Sequence, residues 1–299
     1  MFDSKFIVDF KRKLLRSDGF FRVYDNMRKF DLTVLINDRR RNREIKNNIK
    51  GKTSPFVVEF NNAKFWIDPA ANQDLHMYDG ILGSGYEPMT TKLILENLTL
   101  GDTFIDVGAN NGYFTVLSSK KVGDHGSVYA FEPSRSTYNR LSRNLELNGC
   151  KNVSAHNLAI SNNKGQTKFF EFPDRDGGNS LLPLEGTRET TVEVTTLDEI
   201  CHEARAAIIK VDVEGYEREV LEGGQHVIFD NGASLILEYN RHVLLKKKEN
   251  FDDLLNLLKK EGYTIRMVDD LGMKIGNSDI RDHHDLHPFG CNIFCTKIN

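Results

Sequence analysis

The chain has 299 residues, of which 39% are hydrophobic and 28% charged, with a formal net charge of −3, an ordinary profile for a water-soluble globular protein. No apolar run approaches the roughly 20 residues of a bilayer span, and the opening M-F-D-S-K-F-I-V-D-F-K-R-K mixes acids with apolar residues where a secretory leader would be purely apolar. Four cysteines (Cys150, Cys201, Cys291, Cys295) are too few and too scattered for a disulfide framework, so a reducing cytoplasm is the expected compartment.

Residues 1–50 carry 14 Lys/Arg against 7 Asp/Glu, including Arg39, Arg40, Arg41 and Arg43, while the remainder is acidic. Phe2, Phe6, Phe10, Leu14 and Phe21 recur near helical spacing, which predicts a helical, partly detached basic segment over 1–50 and a main domain over 51–299. The plain reading of the charge is a solvated helix face. The other is a surface for peripheral contact with an anionic membrane, a glycolipid or nucleic acid, and both stay open. The run Phe56–Asp68 alternates around Asn61-Asn62, residues that tolerate positive φ, and predicts a β-hairpin.

From Gly101 strands and helices alternate. Strands are expected at Thr103–Val107, Ser127–Phe131, Asn152–Ala155, Ala207–Val213 and Ser234–Tyr239. Helices are expected at Tyr113–Lys121, Ser136–Asn148, Arg218–Leu221 and Asp252–Lys260. Thr167–Phe172 and Thr190–Thr195 read as further extended pieces, and Tyr263–Val268 with Cys291–Lys297 as a closing antiparallel hairpin. The pattern predicts an α/β fold with a mostly parallel seven-stranded sheet, covered on both faces and ended by that hairpin. Ligands of such sheets bind at the carboxyl ends of the strands.

The first of these strand ends reads D-V-G-A-N-N-G-Y, Asp106 to Tyr113. Its glycines allow a tight turn with close ligand approach. The spacing differs from the G-x-G-x-x-G of dinucleotide sites, and a carboxylate at Asp106 repels a pyrophosphate. The turn therefore speaks against NAD and for a nucleoside that carries a cation such as an α-amino group. Glu132, 20 residues after Gly112 and just before Pro133, is placed to accept from ribose hydroxyls. After the third strand, Ala159 is small enough to let an adenine lie against the backbone. At the fourth strand end Lys210, Asp212 and Glu214 alternate and are expected on one side of the strand, facing the crevice. Glu238, at the end of the fifth strand, and His242, just after it, are also available there.

In order, G-Y-E-P (85–88), F-I-D-V-G-A-N-N-G-Y-F-T (104–115), V-Y-A-F-E-P (128–133), N-L-E-L-N-G (144–149), T-L-D-E-I (196–200) and I-K-V-D-V-E-G-Y-E (209–217) resemble the FkbM-type S-adenosylmethionine-dependent methyltransferases, a class I family. The resemblance runs from about Gly85 to Asn240. It implies a Rossmann-like, doubly wound fold and S-adenosyl-L-methionine as methyl donor. It implies that Asp106 and the turn Gly108, Ala109, Asn110, Gly112 and Tyr113 hold the methionine part. Glu132 and Pro133 would serve the ribose, Ala159 the adenine, and Glu87 would close over the cofactor. Asp212, first, and Glu214, second, would face the transferred methyl group as catalytic residues, and Gly177–Leu182 would form a substrate lid. The implied acceptor is a hydroxyl of a glycan, glycolipid or other small molecule. One departure is Asn111, where the family often has Val or Ile; its tolerance is the expectation.

Three other functions compete. An NAD-dependent oxidoreductase lacks its turn here, and a non-catalytic S-adenosylmethionine-binding module would not need the acids of the fourth strand end. An RNA methyltransferase rests on the basic segment alone, so nucleic acid is not the expected partner. The C-terminal H-H-D-L-H-P-F-G-C-N-I-F-C resembles zinc ligands, His283, His284, His287, Cys291 and Cys295. Cysteines four apart in a strand, however, stand roughly 13 Å apart, so no metal is expected. Nothing in the sequence indicates the oligomeric state.

Overall fold

A computed structural model describes residues 53–82, 85–172, 179–183, 186–240, 244, 246–247, 251–270, 274–276 and 291–298. The basic segment 1–50, the boundary after it, His242, His283, His284, His287, Gly177 and Gly178 lie outside the described residues.

The hairpin forms as expected. Strands β1 (Phe56–Phe60) and β2 (Ala63–Ile67) pair antiparallel, with Phe60 opposite Ala63. Asn61 and Asn62 sit at φ 49° and 60°, the two positive values that a two-residue turn needs to match the strand twist. Ala63, Phe65 and Ile67 point inward and are fully buried. Two helices follow that hydrophobic periodicity did not reveal, α1 (Asn72–Leu82) and α2 (Pro88–Asn97). The second begins with proline in its first turn, where the missing N–H costs no hydrogen bond.

The core alternation comprises β3 (Thr103–Val107), α3 (Tyr113–Val122), β4 (Ser127–Phe131), α4 (Arg135–Asn148) and β5 (Val153–His156). A small sheet of β6 (Ala159–Ile160), β7 (Gly165–Glu171) and β8 (Arg188–Thr195) comes next, in the order β6-β8-β7. It absorbs the two extended pieces seen in the sequence. The chain continues through α5 (Leu197–Cys201), β9 (Ala206–Val211), α6 (Glu217–Gly223), a π-helical turn (His226–Asp230), β10 (Ser234–Tyr239), α7 (Phe251–Lys260), β11 (Tyr263–Asp269), β12 (Lys274–Gly276) and β13 (Cys291–Lys297).

The main sheet has the order β12-β11-β13-β10-β9-β3-β4-β5 among the described residues. It is the expected seven strands plus the three-residue β12. Strands β5, β4, β3, β9 and β10 are mutually parallel, a Rossmann-like arrangement. Strand β13 enters between β10 and β11, antiparallel to both. The central strands read Phe104-Ile105 and Ile208-Ile209 and are buried on both faces, as parallel strands between helices must be.

Helix α4 also finishes the hairpin. The side chain of Asn148 accepts from Lys64 N (2.8 Å) and donates to Lys64 O (2.6 Å), and Asn144 Oδ1 accepts from Trp66 N (2.8 Å). Two asparagines one helical turn apart thus satisfy the open edge of β2. The Arg143 guanidinium lies 4.2 Å above the Trp66 ring.

Candidate active site

The turn between β3 and α3 is pinned from three sides. Gly108 N and Ala109 N both donate to Phe131 O at 2.9 Å, which ties the turn to the end of β4. Gly108 has φ 85°, and a Cβ there would lie 1.8 Å from Asp212 O. Gly112 has φ 86°, and a Cβ there would lie 2.5 Å from Leu141 Cδ1 on α4. Both positions favour glycine by backbone conformation, and at Gly108 the close approach of backbone requires it as well, whereas the Leu141 side chain at Gly112 can shift. The contact at Gly108 presses the end of β9 against the turn after β3 and so joins two motifs a hundred residues apart.

Asp106 is 1% exposed. Its Oδ2 accepts from Thr115 Oγ1 (2.6 Å), while Oδ1 is buried with no hydrogen-bond partner. Asn110, at φ 51°, likewise leaves Oδ1 buried and unpartnered. The Asn110 amide donates to Glu132 Oε2 (3.0 Å), and Ser134 N donates to Oε1 (2.9 Å). Asn157 Nδ2 donates to the carbonyls of Glu132 (2.8 Å) and Pro133 (2.9 Å), fixing the chain where β4 ends.

At the end of β9 the expected alternation stops early. The strand ends at Val211, Asp212 N donates to Val107 O, and Glu214 stands in a turn at φ 54°. Glu214 is brought to Asp212 by this left-handed turn and not by strand pleating. Such a φ at a non-glycine residue is strain of the kind found at functional sites. Glu217 (3% exposed) supports the turn, its Oε1 accepting from Val213 N (3.3 Å) and Gly215 N (3.1 Å). Asn240 Nδ2 donates to Glu214 Oε2 (3.3 Å), and Ser180 Oγ, in the expected lid segment, donates to Glu214 O (2.8 Å).

Lys210 is 2% exposed, with Nζ 2.7 Å from Asp212 Oδ2 and 4.8 Å from the Phe114 ring centre. Burial alone would lower its pKa, but the carboxylates of Asp212, Glu87 and Asp106 outweigh burial and hold it charged. Around this one cation the acids are in surplus. Asp212, Glu214 and Glu238 each offer an oxygen within 4.8 Å of the others.

Burial first, and then Glu214 and Asp212, push the Glu238 pKa well up. Glu87, the residue just before α2, at φ 41°, accepts from Asn292 Nδ2 (3.1 Å). Burial pushes it up to about 7, with Lys210 pulling the other way. Glu132 and Glu217 are pushed up to about 7, and Glu214 to about 8, again by burial first.

These shifts set an expected stability profile. The unperturbed Glu value is 4.5, so between about 5 and about 7 to 8 the folded ligand-free protein binds more protons than the unfolded chain. Stability must then fall as pH rises through that window. His156, lowered by burial, works in the opposite sense but is a single group. The melting temperature is expected to be highest near pH 5 and to decline toward pH 8; a flat or rising profile would contradict these ionisations.

Two expected ligand residues have packing roles. The Tyr113 ring is 2% exposed, stacks against Phe60 and Phe65 and meets Tyr86 and Phe114 edge-on, with centroids 5.1 to 6.2 Å away. Tyr113 is the first residue of α3, so its backbone N–H has no partner within the helix. Ala159 is buried with Phe169, Val192 and Val194 in the core of the small sheet. Sequence reasoning missed Thr115 and Asn292. Asn292 stands opposite Glu238 in the β10–β13 register, a neighbour that no sequence spacing reveals. Cys295, also in β13, is fully buried and free, as a small apolar residue would be.

Residues 106–265 match the family described as the methyltransferase FkbM domain. "Methyltransferase 1" of Beauveria bassiana (strain ARSEF 2860) is 27% identical over 188 residues, 55% of this chain and 73% of that protein. "Hexuronic acid methyltransferase AglP" of Haloferax volcanii is 31% identical over 135 residues, 44% of this chain and 54% of that protein. The solved methyltransferase FkbM from Methylobacillus flagellatus KT aligns at a TM-score of 0.44 and 17% identity, covering 66% of this chain and 44% of that one. The chain thus spans little more than half of the archaeal relative and less than half of the solved one. Among the described residues no helix is long and apolar enough to cross a membrane.

Proposed function

Because the chain belongs to the methyltransferase FkbM domain family, we propose that it moves the methyl group of S-adenosylmethionine onto a hydroxyl of a sugar, glycolipid or other small molecule. The observation that carries this reading is the carboxylate cluster of Asp212, Glu214 and Glu238, joined to the cofactor turn by the backbone contact of Gly108 with Asp212. The residues fit the donor. Asp106 Oδ1 and Asn110 Oδ1 are buried acceptors without partners, as expected of atoms that await an ammonium group. Glu132, already on two backbone amides, has lone pairs left for ribose hydroxyls. The surplus of acid over Lys210 suits a ligand with a sulfonium and an ammonium.

The donor supplies an activated methyl group, so this chain's work is alignment, exclusion of water and removal of the acceptor's proton. Asp212 is the proposed base. Lys210 holds its Oδ2 and fixes the carboxylate's orientation, and Oδ1 is the oxygen proposed to accept the hydroxyl proton. Protonation of Asp212 in this step relieves its repulsion with Glu214 and Glu238, which lie within 4.8 Å. General base action of this kind contributes roughly 10²–10⁴-fold.

The cluster also bears on the acceptor. The archaeal relative's name points to a sugar acid. A carboxylate at the methylated position would face like charges, at a cost of about 4 kcal/mol per pair at 4 Å and an effective dielectric near 20. A ring hydroxyl is therefore the expected target, with any anionic group of the acceptor held away from the cluster.

The test is calorimetric titration with S-adenosylhomocysteine, with NAD as control, followed by transfer of labelled methyl groups to sugars and glycolipids with and without a chelator. Binding of S-adenosylhomocysteine alone is expected. Binding of neither ligand would refute the donor site.

A further inference from the structure

Resting on the methyl-donor reading above, we propose that Asp74 is a positioning residue for the cofactor turn, acting through Asn111 from helix α1. Asp74 lies outside the matched family segment, and Asn111 lies inside it, on the turn itself. An apolar side chain there would simply pack. An amide buried to 4% exposure must be hydrogen-bonded. Its Nδ2 donates to Asp74 Oδ1 (3.1 Å), and the Asn111 backbone carbonyl accepts from Asn144 Nδ2 (2.8 Å).

Asp74 is itself 0% exposed, a burial that a carboxylate tolerates only with partners. Its Oδ2 accepts from Asp68 N (3.1 Å), which fixes the exit from the hairpin into α1. Arg140 on α4 lies with Nε 3.7 Å from Asp74 Oδ1 and supplies the opposite charge. One buried carboxylate thus links the hairpin, α1 and α4 to the turn. The neighbouring Asn110 amide is the group that holds Glu132 Oε2. A shift of Asn111 moves Asn110 and with it both the unpartnered Asn110 Oδ1 and the Glu132 carboxylate. The polar residue at 111 and the acid at 74 therefore act as a matched pair, and the segment before the family match sets the geometry of the donor site.

A polarity swap tests this, read by calorimetric titration of the full chain with S-adenosylhomocysteine well below each variant's melting temperature. Asn111→Asp alone sets two carboxylates against each other and is expected to weaken binding by roughly tenfold or more. Adding Asp74→Asn recreates the carboxylate–amide bond with reversed polarity and is expected to restore affinity to within about threefold of wild type. A merely structural role for Asp74 predicts no such rescue. Wild-type affinity in Asn111→Asp, or a double variant as weak as the single, overturns the proposal. If Asn111→Asp does not fold, Asn111→Val takes its place, and unchanged affinity there overturns it equally. Wild-type protein that binds no S-adenosylhomocysteine would instead refute the donor reading, so the two failures are distinct.

Discussion

Gly108→Ala is expected to abolish S-adenosylhomocysteine binding and to cost roughly 2–5 kcal/mol of stability, about 1–3 from overpacking and about 1–2 from the left-handed backbone. Two effects add. The residue sits at φ 85°, and the new Cβ would lie 1.8 Å from the Asp212 carbonyl oxygen. That oxygen belongs to backbone at the end of a central strand, held in turn by the bond from Asp212 N to Val107 O (2.9 Å). A flexible side chain could move aside; this backbone can do so only by parting β3 from β9. Gly149→Ala is the control. It also has positive φ, at 63°, but a Cβ there meets nothing within 4 Å, so it should cost about 1 kcal/mol and leave binding intact. Thermal unfolding and calorimetry of both variants make the comparison. Near-normal binding by Gly108→Ala would show that the contact with Asp212 does not shape the site.

The second large effect is on turnover. Asp212→Asn keeps the side chain's shape and one oxygen to accept from Lys210, but it removes the proton acceptor. Methyl transfer should fall by roughly 10²–10⁴-fold while S-adenosylhomocysteine still binds. Full activity in this variant would remove Asp212 from the mechanism and pass the role to Glu214. The companion change separates catalysis from integrity. Lys210→Met takes away the buried cation that Asp212, Glu87 and Asp106 share, and breaking such a cluster costs roughly 3–5 kcal/mol. Denaturant unfolding should show a marked loss for Lys210→Met and a much smaller one for Asp212→Asn.

Much of the fold was legible from the chain's pattern. Runs such as Phe104-Ile105 and Ile208-Ile209 announce buried parallel strands, and Asn61-Asn62 announces a tight hairpin. Helix α2 was less visible because its apolar residues are interrupted by Thr90 and Thr91, which are buried nonetheless. Thr90 N and Met89 N donate to Asp270, 180 and 181 residues away, so a distant carboxylate caps this helix. No local signal announces a partner at that separation. Strand β13 was recognised as a strand, but its place between β10 and β11 depends on hydrogen bonding across the whole sheet.

The site divides in the same way. Asp106, the two glycines, Glu132, Asp212 and Glu214 announce themselves in sequence, because a turn needs glycine and a charged residue at the end of an apolar strand needs a reason. These local requirements are what the sequence by itself determined: an α/β sheet, a glycine turn suited to a cationic ligand, and acids at the strand ends. Tertiary structure alone decided how they meet. It brought Glu238 to within 4.8 Å of Asp212 and Glu214. It also set Asn292 beside Glu87 and tied Asn111 to Asp74. Each of these is a pairing of buried polar groups across long sequence separation. Burial makes an unpaired group costly, so partners are required, but which partners is decided only when the strands and helices are packed.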